Sequence, residues 1–294
     1  SFKMNQYDNT PINSPFRWAG GKFYARKLIS DFIPKHEQYI EPFFGGGSIF
    51  FYKNKTNSIL NDADKELMNC YRIIKNRVDE LIEYLDGEKA TKERHNFYKN
   101  EFKPKNSLER AAQYYYLNRT SYSGIMKLQN CFFGYGDKYS MRPENWGRQL
   151  KKNSEKLIGT KLLSDKFEDL FDKVKLNKDT FLFIDPPYYN ADQDKFYRKS
   201  FDLDDHRNLM KILKKYRNKV KYLITYDDCE EIRNLYSWAD NIIDKEWNYT
   251  INRTDDQKNE KKLKDGYSSK RKKGKEIFII NYPVPKKSDQ LKLF

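Results

Sequence analysis

The residues best suited to chemistry lie in the run FLFIDPPYYN, Phe181 to Asn190. The stretch Thr180 to Ile184 is short and almost continuously apolar, which predicts a strand covered on both faces of a parallel sheet. Asp185 then falls at the carboxyl end of that strand, the edge where open α/β sheets bind ligands. Pro186 and Pro187 lack backbone donors and have fixed φ, so the chain must leave the sheet as a stiff extended turn with outward carbonyls. A rigid wall of acceptors results. It suits an exocyclic amino group of a nucleobase, whose two hydrogens the Asp185 carboxylate and the Pro186 carbonyl accept together, leaving the nitrogen lone pair aimed at an electrophile. Tyr188 offers an aromatic face to a base drawn out of a duplex. The plain alternative is a tight turn after a core strand, with Asp185 as a helix cap and Tyr188 as packing.

Two upstream segments must position that turn. In YIEPFFGGGSIFF, Tyr39 to Phe51, a short strand ending in Glu41-Pro42-Phe43 breaks into Gly45, Gly46 and Gly47 before an apolar helix near Ser48. A strand, a glycine turn and a helix N-terminus let a nucleoside-bearing cofactor approach the backbone. The triplet does not fit the spaced dinucleotide fingerprint, and the chain has no GxxxxGK[ST] phosphate loop, which argues against a nucleoside triphosphate. Ser58, Ile59 and Leu60 predict a second strand ending in Asn61-Asp62. An acidic residue there commonly binds ribose hydroxyls; a cap for the helix near Lys65 is the other use of Asp62. The second segment, PFRWAGGK, Pro15 to Lys22, precedes a helix expected from about Phe23 to Phe32. On spacing alone it is a turn with a lysine.

Taken together, PFRWAGGK, EPFFGGGSIFF, LNRTSYSGI (Leu117 to Ile125) and FLFIDPPYY resemble, in order and spacing, the Dam-type (D12 class, alpha-group) DNA adenine-N6 methyltransferases, which include restriction-modification methylases. The resemblance covers nearly the whole chain. It implies S-adenosyl-L-methionine as cofactor, in a site lined by Trp18, Lys22, Phe43, Gly45, Gly46, Gly47 and Asp62. Asp185 would border both cofactor and target base, in a catalytic set of Asp185, Pro186, Pro187 and Tyr188. An acidic-aromatic pair after the third strand matches Asp165 and Phe167. In LNRTSYSGI the positions that carry over as DNA contacts are Asn118, Arg119, Tyr122 and Ser123. For a member of a restriction-modification pair, a cognate endonuclease would share the site without binding the methylase. Cytosine-N4 methylation uses the same geometry, but such enzymes usually carry serine where Asp185 stands. RNA adenine methylation usually shows asparagine there and lacks the long insertion seen here.

The 294 residues suffice for one large domain plus an insertion. A net charge of +15 with 34% charged residues, and a pI near 9.4, favour a polyanionic partner, here double-stranded DNA. A membrane surface lacks support, since no apolar run approaches about 18 residues. The N-terminus shows no signal-peptide pattern, and Cys70, Cys131 and Cys229 are far apart and odd in number, as in a reduced, cytoplasmic protein. With no CxxC or HExxH, and with His36, His95 and His206 scattered, neither a metal nor a histidine nucleophile is expected. A cofactor-dependent DNA-binding regulator without catalysis, or a nuclease, is the reading from another class. A nuclease would want clustered metal-binding carboxylates.

Strands are expected near Gln38 to Pro42, Ser58 to Asn61, Lys161 to Ser164, Thr180 to Ile184, Lys221 to Tyr226, Asn241 to Lys245 and Glu276 to Tyr282, mostly separated by helices. The alternation predicts an α/β fold, a Rossmann-like doubly wound, mostly parallel sheet whose last two strands form an antiparallel hairpin. The helical, basic stretch between the second and third strands is too long for a crossover. Residues 81–156 are therefore expected to be an inserted helical target-recognition domain, with 1–80 and 157–294 forming the catalytic domain. Within the insertion, Tyr114, Tyr115 and Tyr116 serve either as DNA contacts or as helical core, and Arg142, Asn145, Trp146 and Arg148 are candidate base or phosphate contacts. A second basic stretch, Asn252 to Lys275, has almost no aliphatic residues and reads as a mobile loop. Its Arg271, Lys272 and Lys273 are expected to meet DNA phosphates, since the family that the chain resembles carries a basic hairpin here that meets DNA beside the target.

Overall fold

A computed structural model describes residues 10–18, 21–124, 126–127, 131–136, 140–190, 201–249 and 272–284, with backbone alone for residues 123, 245–249 and 272–275. The strands are β1 (Gln38–Glu41), β2 (Asn57–Asn61), β3 (Lys161–Leu163), β4 (Thr180–Ile184), β5 (Lys221–Asp227), β6 (Asn241–Tyr249) and β7 (Lys272–Ile280). They form one sheet in the order β3-β2-β1-β4-β5-β7-β6. Pairs among β1 to β5 are parallel, and β7 runs antiparallel between β5 and β6. Winding reverses between β1 and β4. Their carboxyl ends, Glu41 and Ile184, therefore flank the switch point where such sheets bind ligands.

Every residue of β4 is buried, because helices cover both faces. Phe181 and Phe183 point with Leu223, Phe278 and Ile280 into one core, while Leu182, Ile184, Tyr222, Ile224, Ile277 and Ile279 point into the other. The period of two in β4, β5 and β7 thus feeds two hydrophobic layers. Helices α8 (Phe167–Lys173), α9 (Leu203–Tyr216) and α10 (Glu230–Leu235) supply the second core through Phe171, Leu209, Leu213 and Ile232. Asp202 starts α9 with a reciprocal capping box to Asp205.

The first core is larger. It takes in α1 (Arg26–Ser30), α2 (Ser48–Tyr52) and α3 (Lys65–Asn76), and then continues into α4 (Val78–Leu85), α6 (Ser107–Thr120) and α7 (Trp146–Leu157). The short α5 (Lys92–Asn96) and a π turn over Phe97–Glu101 complete that helical segment. Leu81, Tyr98, Ala111, Tyr115, Trp146 and Leu150 share one apolar cluster with Phe181 and Phe278 of the sheet. Helices α3 and α6 carry the join, and their N-caps, Asp64 and Asn106, accept from backbone N–H groups of the first turns.

Three local expectations need correction. The helix expected from Phe23 to Phe32 is a 3-10 turn, Phe23–Ala25, followed by five α residues. The cap of α3 is Asp64, leaving Asp62 for another role. Strands β6 and β7 also run further than their apolar residues, to Tyr249 and from Lys272, because ladder hydrogen bonds extend the hairpin through a polar stretch. Lys272 and Lys273 therefore begin a strand, and Arg271 lies outside the described residues.

Candidate active site

Asp185 leaves β4 half-buried, and Pro186 behind it is buried. The Asp185 carboxylate is held from two sides. Thr225 in β5 donates its hydroxyl to Oδ1 at 2.6 Å, and Lys22 Nζ stands 3.0 Å from the same oxygen. Among the described residues Oδ2 takes no donor, which leaves it as the oxygen open to a substrate. Lys22 Nζ also donates to the Tyr188 hydroxyl at 2.9 Å, with the ammonium 4.6 Å from that ring's centroid. Just past Tyr188, Asp227 at the end of β5 accepts from the N–H of Tyr189 at 2.8 Å and of Asn190 at 3.0 Å. The turn through Pro187 and Tyr188 is thereby anchored at its entry by Thr225 and at its exit by Asp227. Tyr189 packs against the buried ring of His206, whose Nδ1 pairs with the Tyr226 hydroxyl. Burial lowers the His206 pKa to about 4 and keeps that ring neutral.

Beside this turn lies the glycine loop between β1 and α2. Gly45 and Gly47 have φ of +49° and +69°, a region that L side chains rarely adopt. A Cβ on Gly47 would meet the Phe44 ring at 2.6 Å, and one on Gly45 would meet the Trp18 indole at 3.0 Å. Trp18 therefore lies over Gly45, and Gly46 is buried between the two other glycines. Asp62 ties the loop down: Oδ2 accepts from Gly45 N–H and Oδ1 from Asp64 N–H, each at 2.9 Å. Two lone-pair positions of the carboxylate remain for hydroxyl donors. Burial pushes this carboxyl up to about 6, against the Asp64 N–H; the Asp64 charge adds to the rise and the Gly45 N–H opposes it.

Fully buried Asn61 joins this loop to the third strand's exit, donating to the Pro42 and Asp165 carbonyls at 3.0 Å and accepting from Asp165 N–H at 2.9 Å. Asp165 pairs with Lys173 at 2.7 Å. Phe43 and Phe167 have ring centroids 5.6 Å apart, and Phe201 closes the group at 5.5 Å from each. Phe43, Asp62, Asp165, Phe167 and the glycines thus meet along the carboxyl edge of the sheet. Lys22 differs from that group: it sits at Asp185 and Tyr188.

Sequence reasoning missed Thr225, Asp227, Asn61, Phe201, Arg17 and Glu276. Arg17 is a buried hub, whose Nη1 donates to the carbonyls of Ser121 at 2.8 Å and Gly134 at 3.2 Å. Glu276 on β7 is buried and lies 3.3 Å from Lys22 Nζ. Burial holds its carboxyl well above the usual carboxylate range, with Lys22 opposing. The pattern signal for Thr225 and Asp227 was their alternation in a strand that follows the DPPY strand.

Two proposed DNA contacts are overturned by their surroundings. Asn118 is fully buried, accepting from Arg17 N–H and donating to the Arg17 carbonyl, both at 2.8 Å; Arg119 is buried to the same extent. Neither side chain is at the protein surface. Trp146 is likewise core, edge-on to Tyr115 and Tyr116 with its indole N–H donated to the Met141 carbonyl, and Tyr114 to Tyr116 are buried. Tyr122 is 42% exposed on a 3-10 turn, Tyr122–Gly124, that also holds the Ser123 backbone. Arg142 and Arg148 are exposed and Asn145 half-buried, with Arg148 donating to Asn145 at 3.2 Å.

A doubly wound sheet with an acidic, proline-stiffened turn at its switch point and a glycine loop beside it defines a methyltransferase of the Rossmann-like class. The D12 class N6 adenine-specific DNA methyltransferase family matches residues 18–251, and the chain belongs to that family. The chain is similar to the type II methyltransferase M.MjaIII of Methanocaldococcus jannaschii, at 32% identity over 235 residues, covering 68% of this chain and 79% of the relative. Type II methyltransferase M.CviBI of Paramecium bursaria Chlorella virus NC1A is 30% identical over 231 residues, 75% of this chain and 85% of that protein. The DNA adenine methylase of Escherichia coli is 28% identical over 239 residues, 76% and 84%. The chain is thus an adenine-specific DNA methyltransferase.

Proposed function

We propose that the protein methylates N6 of an adenine flipped out of a specific site in duplex DNA, with S-adenosyl-L-methionine as methyl donor. One observation carries this: the Asp185 carboxylate keeps one oxygen open at the switch point, on the sheet edge that β4 shares with the glycine loop after β1. The glycine loop fits the donor's nucleoside, because a Cβ on Gly47 would collide with Phe44 and one on Gly45 would press on Trp18. Asp62 would take the ribose hydroxyls, the Phe43, Phe167 and Phe201 rings the adenine, and Asp165 the edge beside them. When bound, the donor supplies a sulfonium-activated methyl group. The chain's own task is positioning. Asp185 and the Pro186 carbonyl accept the two amino hydrogens and stabilise positive charge growing on the nitrogen, while Tyr188 stacks on the base.

Residues 81–156 would read the target, with Tyr122 filling the duplex and Arg142 and Arg148 on phosphates. Lys272 and Lys273 would add backbone contacts at the start of β7. The type II names of the Methanocaldococcus jannaschii and Chlorella virus relatives support a restriction-modification setting, with an endonuclease that shares the site rather than a contact surface. The test is transfer from labelled S-adenosylmethionine to unmethylated genomic DNA, followed by nucleoside analysis. Label in N6-methyladenine is expected; label in N4-methylcytosine, or none, would overturn the assignment.

A further inference from the structure

Lys22 meets three other groups of the site, and its third anchor lies on the strand furthest from it in sequence. Its ammonium stands 3.0 Å from Asp185 Oδ1, 2.9 Å from the Tyr188 hydroxyl and 3.3 Å from Glu276 Oε1. Glu276 is 2% exposed, so nearly all its hydration is lost. A carboxylate so placed is unfavourable unless a cation answers it. Lys22 is that cation, held between two carboxylates whose separation it bridges. Antiparallel pairing makes the arrangement possible. Glu276 is in register with Asp227, so β7 sets a carboxyl group beside the strand that carries both Thr225 and Asp227.

We infer that Glu276 is a positioning residue for methyl transfer: its buried carboxyl group, 3.3 Å from Nζ, fixes Lys22, and Lys22 in turn fixes Asp185 and the Tyr188 ring. The inference rests on Asp185 as the acceptor of the amino hydrogens. With Lys22 and Thr225 both on Oδ1, that oxygen is restrained from two sides, and Oδ2 is the oxygen presented to the base. Without Glu276 the ammonium loses its contact on the β7 side and keeps those with Asp185 and the Tyr188 hydroxyl. It would then move onto the carboxylate and compete with the incoming amino group. The predicted defect is in the chemical step, and neither cofactor nor DNA affinity depends on it.

The test uses the full chain in single-turnover assays with saturating S-adenosylmethionine and unmethylated genomic DNA. Glu276→Gln, close in shape but uncharged, should slow transfer about 10- to 100-fold, with dissociation constants for both ligands and the melting temperature unchanged. Lys22→Met should also slow it, and the double variant should be no slower than Lys22→Met alone. Losses that multiply in the double variant, or a Glu276→Gln rate equal to wild type, would overturn the proposal. Should Glu276→Gln not fold, Glu276→Met takes its place in the same cycle, with the same two outcomes decisive. Asp185→Ala separates the assumptions. If it is inactive while Glu276→Gln is not impaired, only the role of Glu276 fails; if it is active, the acceptor assignment itself fails.

Discussion

The Thr225 hydroxyl donates to Asp185 Oδ1 at 2.6 Å, joining the fifth strand to the turn that ends the fourth. A hydroxyl on a β-branched side chain has few rotamers, so this contact restrains the carboxylate at little entropic cost. Thr225 is fully buried, and the restraint belongs to the folded chain before any ligand arrives. Thr225→Val keeps the shape and removes the donor. Single-turnover transfer should fall about 10-fold or more with little change in DNA affinity, and Thr225→Ser should recover much of it.

Asp62 gives the cofactor site a pH dependence. Its carboxyl is pushed up to about 6 in the folded chain, above the ordinary Asp value, so it binds a proton more readily folded than unfolded. Its contribution to stability is therefore largest in acid and declines as pH rises through about 6. Cofactor binding should show the opposite trend, since the ionised form is the stronger acceptor for hydroxyls. Calorimetric titration with S-adenosylmethionine between pH 5 and 7.5 should show affinity rising with pH, and Asp62→Asn should bind weakly at every pH. A flat wild-type profile would remove Asp62 from the ribose role.

Gly47→Ala places a side chain at φ +69° and 2.6 Å from the Phe44 ring. Left-handed strain and the collision together should cost about 1–3 kcal/mol of stability. Denaturant unfolding reads the loss, and cofactor affinity should fall with it because the same loop faces the nucleoside.

Asn118 and Tyr122 separate structure from recognition although they stand four residues apart. Asn118→Ala strips buried backbone groups of Arg17 of their partners and should cost about 1–3 kcal/mol of stability. Tyr122→Ala should leave the melting temperature in place and weaken DNA binding. An outcome with the two exchanged would return Asn118 to the interface.

Much of this arrangement was legible in the chain because it is local. Thr180 to Ile184 are apolar for a strand buried on both faces, and the DPPY turn and the glycine triplet each announce their conformation within a few residues. What escaped depends on contacts distant in sequence. Glu276 sits in RKKGKEIFII, where the preceding lysines read as a basic loop, and its partner Lys22 comes from the other end of the chain. Asn118 and Arg119 were misjudged for another reason. Helix α6 is buried around most of its circumference from Ala111 to Thr120, so polar side chains there point into the protein and bond its backbone.

The most direct test of the account is methyl transfer by Asp185→Ala. The carboxylate is assigned to hold the amino group and to stabilise charge developing on it, so single-turnover transfer should fall by about 10³-fold or more while duplex DNA affinity is largely kept. Transfer at a rate near wild type would contradict the central claim and move the acceptor role away from Asp185.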